Sequence, residues 1–175
     1  MFWRGVVLFA AAIFLSGCVS DQVGTDYAAI AQKIGPPKTG QSRIVVLQEK
    51  RQGLSMAFCA CDMKLDGEPI GKVTVGTYVY ADRPAGRHQL VASETLFPGD
   101  TKHDFSTVSG RTYYVLIRSS ARHDAVAGAG LAGGLIGIAA ASVVTADSQN
   151  TGPAELFPLD EMAAKTTLTE LQLAQ

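Results

Sequence analysis

From Arg43 to Ser119 apolar and polar residues alternate with a period of two, and turn-forming pairs cut the runs at short intervals. Successive side chains of a strand point to opposite faces, so this period marks half-buried strands. The runs are RIVVLQ (Arg43 to Gln48), LSMAFCACDMKL (Leu54 to Leu65), PIGKV (Pro69 to Val73), TYVYAD (Thr77 to Asp82), RHQLVASE (Arg87 to Glu94), KHDFSTV (Lys102 to Val108) and RTYYVLIRS (Arg111 to Ser119). Asp66-Gly67 is a preferred pair for a tight hairpin. Pro84-Ala85-Gly86, Pro98-Gly99 and Ser109-Gly110 supply further turns. About seven short strands with such punctuation predict a mainly β chain, an antiparallel immunoglobulin-like sandwich over residues 43–120. Val45, Leu65, Val73, Leu90, Phe105, Tyr114 and Leu116 are its expected core, with the alternate positions facing water.

The segments on either side read differently. Residues 1–17 carry one charge, Arg4, ahead of the apolar stretch GVVLFAAAIFL, which has the length of a secretory signal. That stretch ends in Leu15-Ser16-Gly17-Cys18, which resembles the lipobox of bacterial lipoproteins. The resemblance implies cleavage before Cys18, acylation of its sulfur and amine, and anchoring to the membrane through those acyl chains. Val19 stands where Asp would favour retention in the inner membrane, so the expected address is the periplasm-facing surface of the outer membrane. Removing Arg4 from 15 Lys+Arg and 16 Asp+Glu leaves 14 against 16, a net charge of −2. No basic field for nucleic acid exists in that balance.

Residues 18–42 read as a tether holding a short helix, YAAIAQKI, capped by Asp26 and stopped at Gly35-Pro36-Pro37. Residues 121–150 contain the run Ala125 to Val144, twenty uncharged residues of which twelve are Ala or Gly. At 100° per residue, a continuous helix puts Ala129, Gly133, Gly137 and Ala141 on a smooth face and Leu131, Leu135 and Ile138 on a bulky one. Four readings stay open: packing on the protein itself, self-association through the small face, membrane insertion, or disorder. Gly130, Gly133, Gly134 and Gly137 are the candidate partner-docking residues. Residues 151–175 should add an edge strand, ELFPLD, and a helix over Glu161 to Ala174 capped by Asp160.

An ordered series within the sandwich carries a further resemblance. Arg43-Ile44-x-Val46-Leu47, Lys64-Leu65-Asp66-Gly67-x-x-Ile70-Gly71, Gly76-x-Tyr78, Pro84-Ala85-Gly86-x-His88 and Gly110-x-x-Tyr113 resemble the bacterial lipoprotein family called domain of unknown function 2846. The series is also similar to PEGA-type surface sandwich domains, from which it departs by the Ala85 placed between Pro84 and Gly86. The resemblance covers Arg43 to Ser119. It implies a sandwich fold and an envelope location, and brings no known activity or catalytic residue.

Chemistry is sparse in the residues themselves. Cys59 and Cys61 lie i, i+2 on one strand face, which leaves three roles: small core residues, a strained disulfide, or a redox or metal pair. His88, His103 and His123 show no metal-ligand spacing, and no nucleophile, phosphate-loop or zinc-helix motif occurs. Asp100, His103, Asp104 and Ser106 form a loose polar group, read as turn and edge polarity. His88 reads as a hydrogen-bonded strand residue. Tyr78, Tyr80 and Tyr113 are candidates for stacking on sugar rings. The expectation is a non-enzymatic, cofactor-free, lipid-anchored interaction module that meets an envelope protein or another copy of itself. Carbohydrate or peptidoglycan binding is the alternative, and a redox or metal role for Cys59 and Cys61 a further one.

Overall fold

The computed structural model describes residues 27–50, 60–95, 97–145 and 150–174. Cys18, Cys59, Asp26 and the start of the second expected strand lie outside the described residues. In chain order the elements are α1 (Tyr27–Ile34), β1 (Gln41–Leu47), β2 (Cys61–Leu65), β3 (Glu68–Val73), β4 (Thr77–Pro84), β5 (Arg87–Ser93), β6 (Thr101–Ser106), β7 (Thr112–Ser119), α2 (Ala121–Val144), β8 (Ala154–Leu159), α3 (Glu161–Leu168) and β9 (Gln172–Leu173). The nine strands form two sheets, ordered β8-β7-β1-β4-β9 and β3-β2-β5-β6. The expected β-sandwich is present.

Turn chemistry sets the local geometry. Asp66 and Gly67 both take positive φ, 56° and 85°, and join β2 to β3 in a two-residue hairpin, the geometry for which Asp-Gly is preferred. Pro84 to Arg87 carries the chain from one sheet to the other, because β4 belongs to the first and β5 to the second.

Two pairings depart from a purely antiparallel sandwich. β1 runs parallel to β7, with Arg43 opposite Thr112 and Leu47 opposite Leu116, and β4 runs parallel to β9. Parallel neighbours need a long crossover, and the whole four-stranded sheet lies between β1 and β7 in the chain.

The expectation that alternate positions face water fails for the five-stranded sheet. Ser42 to Leu47 is buried along its whole length. One face of the sheet packs Ile44, Val46, Val79, Val115 and Ile117 against Met63, Leu65, Val73 and Leu90 of the other sheet. The opposite face packs Val45, Leu47, Tyr78, Tyr114 and Leu116 against Ala164, Leu168 and Leu171, with Tyr27 alongside. Helices α1 and α3 thus make a third layer over the sheet, and a strand covered on both sides reads as continuous apolar sequence, as Ile44-Val45-Val46-Leu47 does. Of the expected core residues, Phe105 is only partly buried; the other six are buried, divided between these two clusters.

The C-terminal helix is shorter than the expected Glu161 to Ala174. Asp160 caps it as expected, its Oδ1 accepting from the Met162 and Ala163 N–H groups at 3.0 Å. It stops at Leu168, where the Thr169 hydroxyl turns back onto the Thr166 carbonyl at 2.7 Å. Gln172–Leu173 then extends beside β4 instead of continuing the helix. β8 is an edge strand, and Pro158 lies within it, where a missing N–H is tolerated.

Candidate functional site

The Gly/Ala segment is the most exposed apolar part of the described structure. α2 begins cleanly: the Ser120 side chain accepts from the His123 N–H at 3.0 Å and donates to the Gly152 carbonyl at 2.7 Å. Thirteen residues later it breaks at Gly134, whose φ of 57° and ψ of −144° are not helical. Only glycine occupies that region at low cost. The two arms fold back on one another. A Cβ on Gly137 would collide with the Ala129 carbonyl oxygen, and one on Gly130 would lie 2.9 Å from Ile138 Cγ1. At the other end Arg122 Nε donates to Thr145 Oγ1 at 3.0 Å. In a straight helix these residues would be about 34 Å apart. The element is therefore a helical hairpin with Gly133-Gly134 at its tip.

This geometry corrects the single smooth face expected from a continuous helix. Gly130 and Gly137 serve contact between the arms, Gly134 makes the turn, and Gly133 meets open space. It also changes the meaning of the segment's length. Counted as one helix, Ala121–Val144 is long and apolar enough to cross a membrane. Folded at Gly134, its arms of thirteen and ten residues measure about 20 and 15 Å, and neither crosses a bilayer alone.

The base of the hairpin is fixed to the sandwich by residues that sequence reasoning missed. Arg122 is buried, donates to the Pro98 and Thr151 carbonyls, and stacks 5.1 Å from the Phe97 ring. His123 is buried 5.3 Å from the same ring, with its Nε2 2.9 Å from Glu94 Oε2. Beyond this base Val126 is the one buried residue of the hairpin. Leu131, Leu135, Ile136, Val143 and Val144 are 73 to 84% exposed.

A second cluster joins Asp66, His88 and Thr107. His88 Nδ1 lies 2.7 Å from Asp66 Oδ2, and its Nε2 lies 3.1 Å from Thr107 Oγ1 and 3.0 Å from the Pro84 carbonyl. Asp66 Oδ1 accepts from the Gln89 N–H at 2.9 Å. Burial opposes ionisation of Asp66, yet the Gln89 N–H and the His88 ring outweigh it and hold the carboxyl below its usual range. The order acid, imidazole, hydroxyl resembles a nucleophilic triad, but each member is committed elsewhere. Thr107 Oγ1 also accepts from Ser42 Oγ at 2.8 Å and is buried with it. The cluster ties the β2–β3 turn to the Pro84 crossing and the end of β6, as expected for a hydrogen-bonded strand histidine.

The remaining candidates separate. Asp104 and Ser106 line the hollow beside Asp66 and His88, whereas Asp100 and His103 line another beside Asn150 and Thr151. The period of two on β6 sends His103 to the face opposite Asp104, so the four-residue polar group does not assemble. Tyr78 is fully buried, edge-on to Tyr27 at 5.5 Å. Tyr80 lies under the Arg43 guanidinium, and the Tyr113 hydroxyl accepts from the Val108 N–H at 2.9 Å. These three rings make no open stacking platform. Cys61 is buried in the core and disulfide-bonded, with its partner outside the described residues. Among the described residues no three His, Cys, Asp or Glu side chains converge on a metal position.

Comparison with known proteins gives one match. The model of a family described as a protein of unknown function, DUF2846, matches residues 38–130, strands β1 to β7 together with the first ten residues of α2. No curated protein and no solved structure matches the chain.

Proposed function

The chain belongs to the DUF2846 family of proteins of unknown function, and on that premise we propose that it is a lipid-anchored lipoprotein of the outer membrane. In this reading it faces the periplasm and serves as a non-catalytic interaction module. Cys18 is the acylated residue, the sandwich is the scaffold, and the α2 hairpin is the element that makes contact. The observation that carries the contact role is the hairpin itself: uncharged from Ala125 to Val144, clamped at its base by Arg122 and His123, with Leu131, Leu135 and Ile136 exposed at the tip and Val143 and Val144 exposed near the base. Proteins rarely present such surface without something to cover it.

Two further observations support a non-catalytic role. The most triad-like group is internally satisfied, with His88 and Thr107 both buried. The Cys61 sulfur is without exposure, which favours a structural disulfide over redox exchange. Sugar stacking is disfavoured by the burial of Tyr78.

The test is metabolic labelling with palmitate, followed by fractionation, of wild type and Cys18→Ser. Wild type should take up label and sediment with the outer membrane. The variant should take up none and appear in the soluble periplasmic fraction. A wild-type protein that carries no label and is freely soluble would remove both the anchor and the role.

A further inference from the structure

We propose that the α2 hairpin is inserted, tip first, into the same bilayer leaflet that holds the acyl chains of Cys18. The inference rests on the lipoprotein reading above and names what the hairpin meets: lipid hydrocarbon.

Four observations converge on it. First, the apolar surface is concentrated where an inserted tip would be. Leu131, Leu135 and Ile136 flank the break at Gly134 and are 73, 84 and 83% exposed. No charged residue occurs between Asp124 and the end of α2. Second, the length fits. Beyond buried Val126 the first arm projects about 10 Å to the break at Gly134, a depth that lies within one leaflet, half of a ~30 Å hydrocarbon layer, and far short of a full crossing.

Third, the construction limits the backbone groups that a solvent without hydrogen bonds would leave unmet. Each arm pairs its interior backbone along the helix, and the orphan N–H and C=O groups of the tip are those beside Gly134, the one non-helical residue. The arms approach through Gly137 on Ala129 and Gly130 on Ile138, the small-residue packing that holds helices together where lipid supplies no hydrophobic drive. At the base the charges return: Arg122 and His123 are held within the sandwich, and Asp124 is exposed where the first arm leaves it.

Fourth, the tether leaves from the same end of the molecule. Tyr27 packs on Tyr78 and Tyr114, while the other end of α1 delivers the Gly35 carbonyl to Arg43 Nη1 at 2.7 Å. Tyr78 pairs with Leu47, at the end of β1. α1 therefore runs against β1 and presents its N-terminus at that end. β7, parallel to β1, hands the chain to α2 there too. Eight residues separate Cys18 from Tyr27, a reach of at most about 30 Å. An acylated Cys18 thus holds the hairpin end, and not the opposite end, against the bilayer.

The lone tryptophan, Trp3, precedes the expected cleavage point, so Leu135→Trp and Val108→Trp each yield a mature chain with a single tryptophan. Val108 is exposed beyond β6, beside the turn whose Gly110 N–H reaches the start of β1, and so reports the opposite end. Each full-length protein is purified from envelope in detergent. It is then reconstituted into phosphatidylethanolamine–phosphatidylglycerol vesicles with or without bromine on the acyl chains. Leu135→Trp should emit in the blue and lose most of its emission to brominated lipid. Val108→Trp should do neither. Ile136→Trp repeats the measurement should the first variant fold poorly.

Emission from the tip that brominated lipid leaves unquenched overturns the proposal. That holds whether the emission is red, as in water, or blue with crosslinked dimers, the mark of a second copy on the hairpin. Palmitate labelling of the same preparations separates the two readings. Label without tip quenching overturns insertion alone; tip quenching without label overturns the acyl anchor and leaves insertion standing.

Discussion

Asp66 does two jobs with one side chain. It takes the left-handed backbone of the β2–β3 turn, and it fixes His88 beneath that turn. Its carboxyl titrates below its usual value in the folded protein: burial pushes the other way, but the Gln89 N–H and the His88 ring prevail. The sign follows from that direction. A carboxylate whose folded pKa is depressed stabilises the fold above its unfolded pKa and loses that contribution as pH falls through the folded value. Urea unfolding midpoints should therefore fall on acidification below about pH 4. Asp66→Asn should be less stable at neutral pH and should show a shallower acid slope. A variant with the wild-type slope would assign the acid sensitivity to other carboxylates. The role of His88 was legible in its place just after a turn. Its partners were not, because Asp66, Pro84 and Thr107 come from three separate connections that only the folded sheets bring together.

Among the elements, the hairpin shows what a one-dimensional pattern carries and what it loses. Period-two alternation and turn pairs identify strands because each acts within a few residues. A helical wheel assumes an unbroken phase, and Gly134 interrupts it, so Ala129 and Gly137 meet across the arms instead of lining one face. The adjacent pair Gly133-Gly134 was the available signal, since Gly-Gly marks a turn. A non-glycine residue in that backbone conformation costs about 1–3 kcal/mol, while Ala gains about 1 kcal/mol over Gly in a helix. Gly134→Ala should consequently open the arms into one helix. Spin labels at Ala125 and Ser142 should then move from helix-contact range, about 10 Å, to about 25 Å. An unchanged short distance would mean that the clamp of Arg122 on Thr145 outweighs the strain. The covered outer face of the five-stranded sheet was missed for a related reason. Its covers, α1 and α3, lie outside the alternating region, and only the unbroken run Ile44 to Leu47 hinted that both sides of β1 are dry.

At the scale of the whole molecule, the proposed anchor and the proposed insertion of the hairpin would divide the work unequally. The three exposed aliphatic side chains of the tip, Leu131, Leu135 and Ile136, at about 0.3–0.6 kcal/mol each amount to roughly 1–2 kcal/mol on the insertion scale. Each buried methylene of an acyl chain contributes ~0.8 kcal/mol, so in the proposed lipoprotein the lipid would hold the protein and the hairpin would orient it. Acylated protein carrying Leu131→Asn and Leu135→Asn should stay in the membrane fraction, yet trypsin should cut it more readily near Arg122 in vesicles. Release of the double variant from the membrane would reverse this ranking. One feature of the third layer then takes on a mechanical meaning. α1 is the first described element after Cys18, and it rests on the sheet through Tyr27, with Ile30 buried one turn on, without belonging to any strand ladder. In the proposed lipoprotein, tension arriving from the lipid would peel those eight residues before it reached β1. Drawn out, they lengthen from about 12 Å to about 27 Å, slack that lets the body ride with a moving envelope while both sheets stay closed.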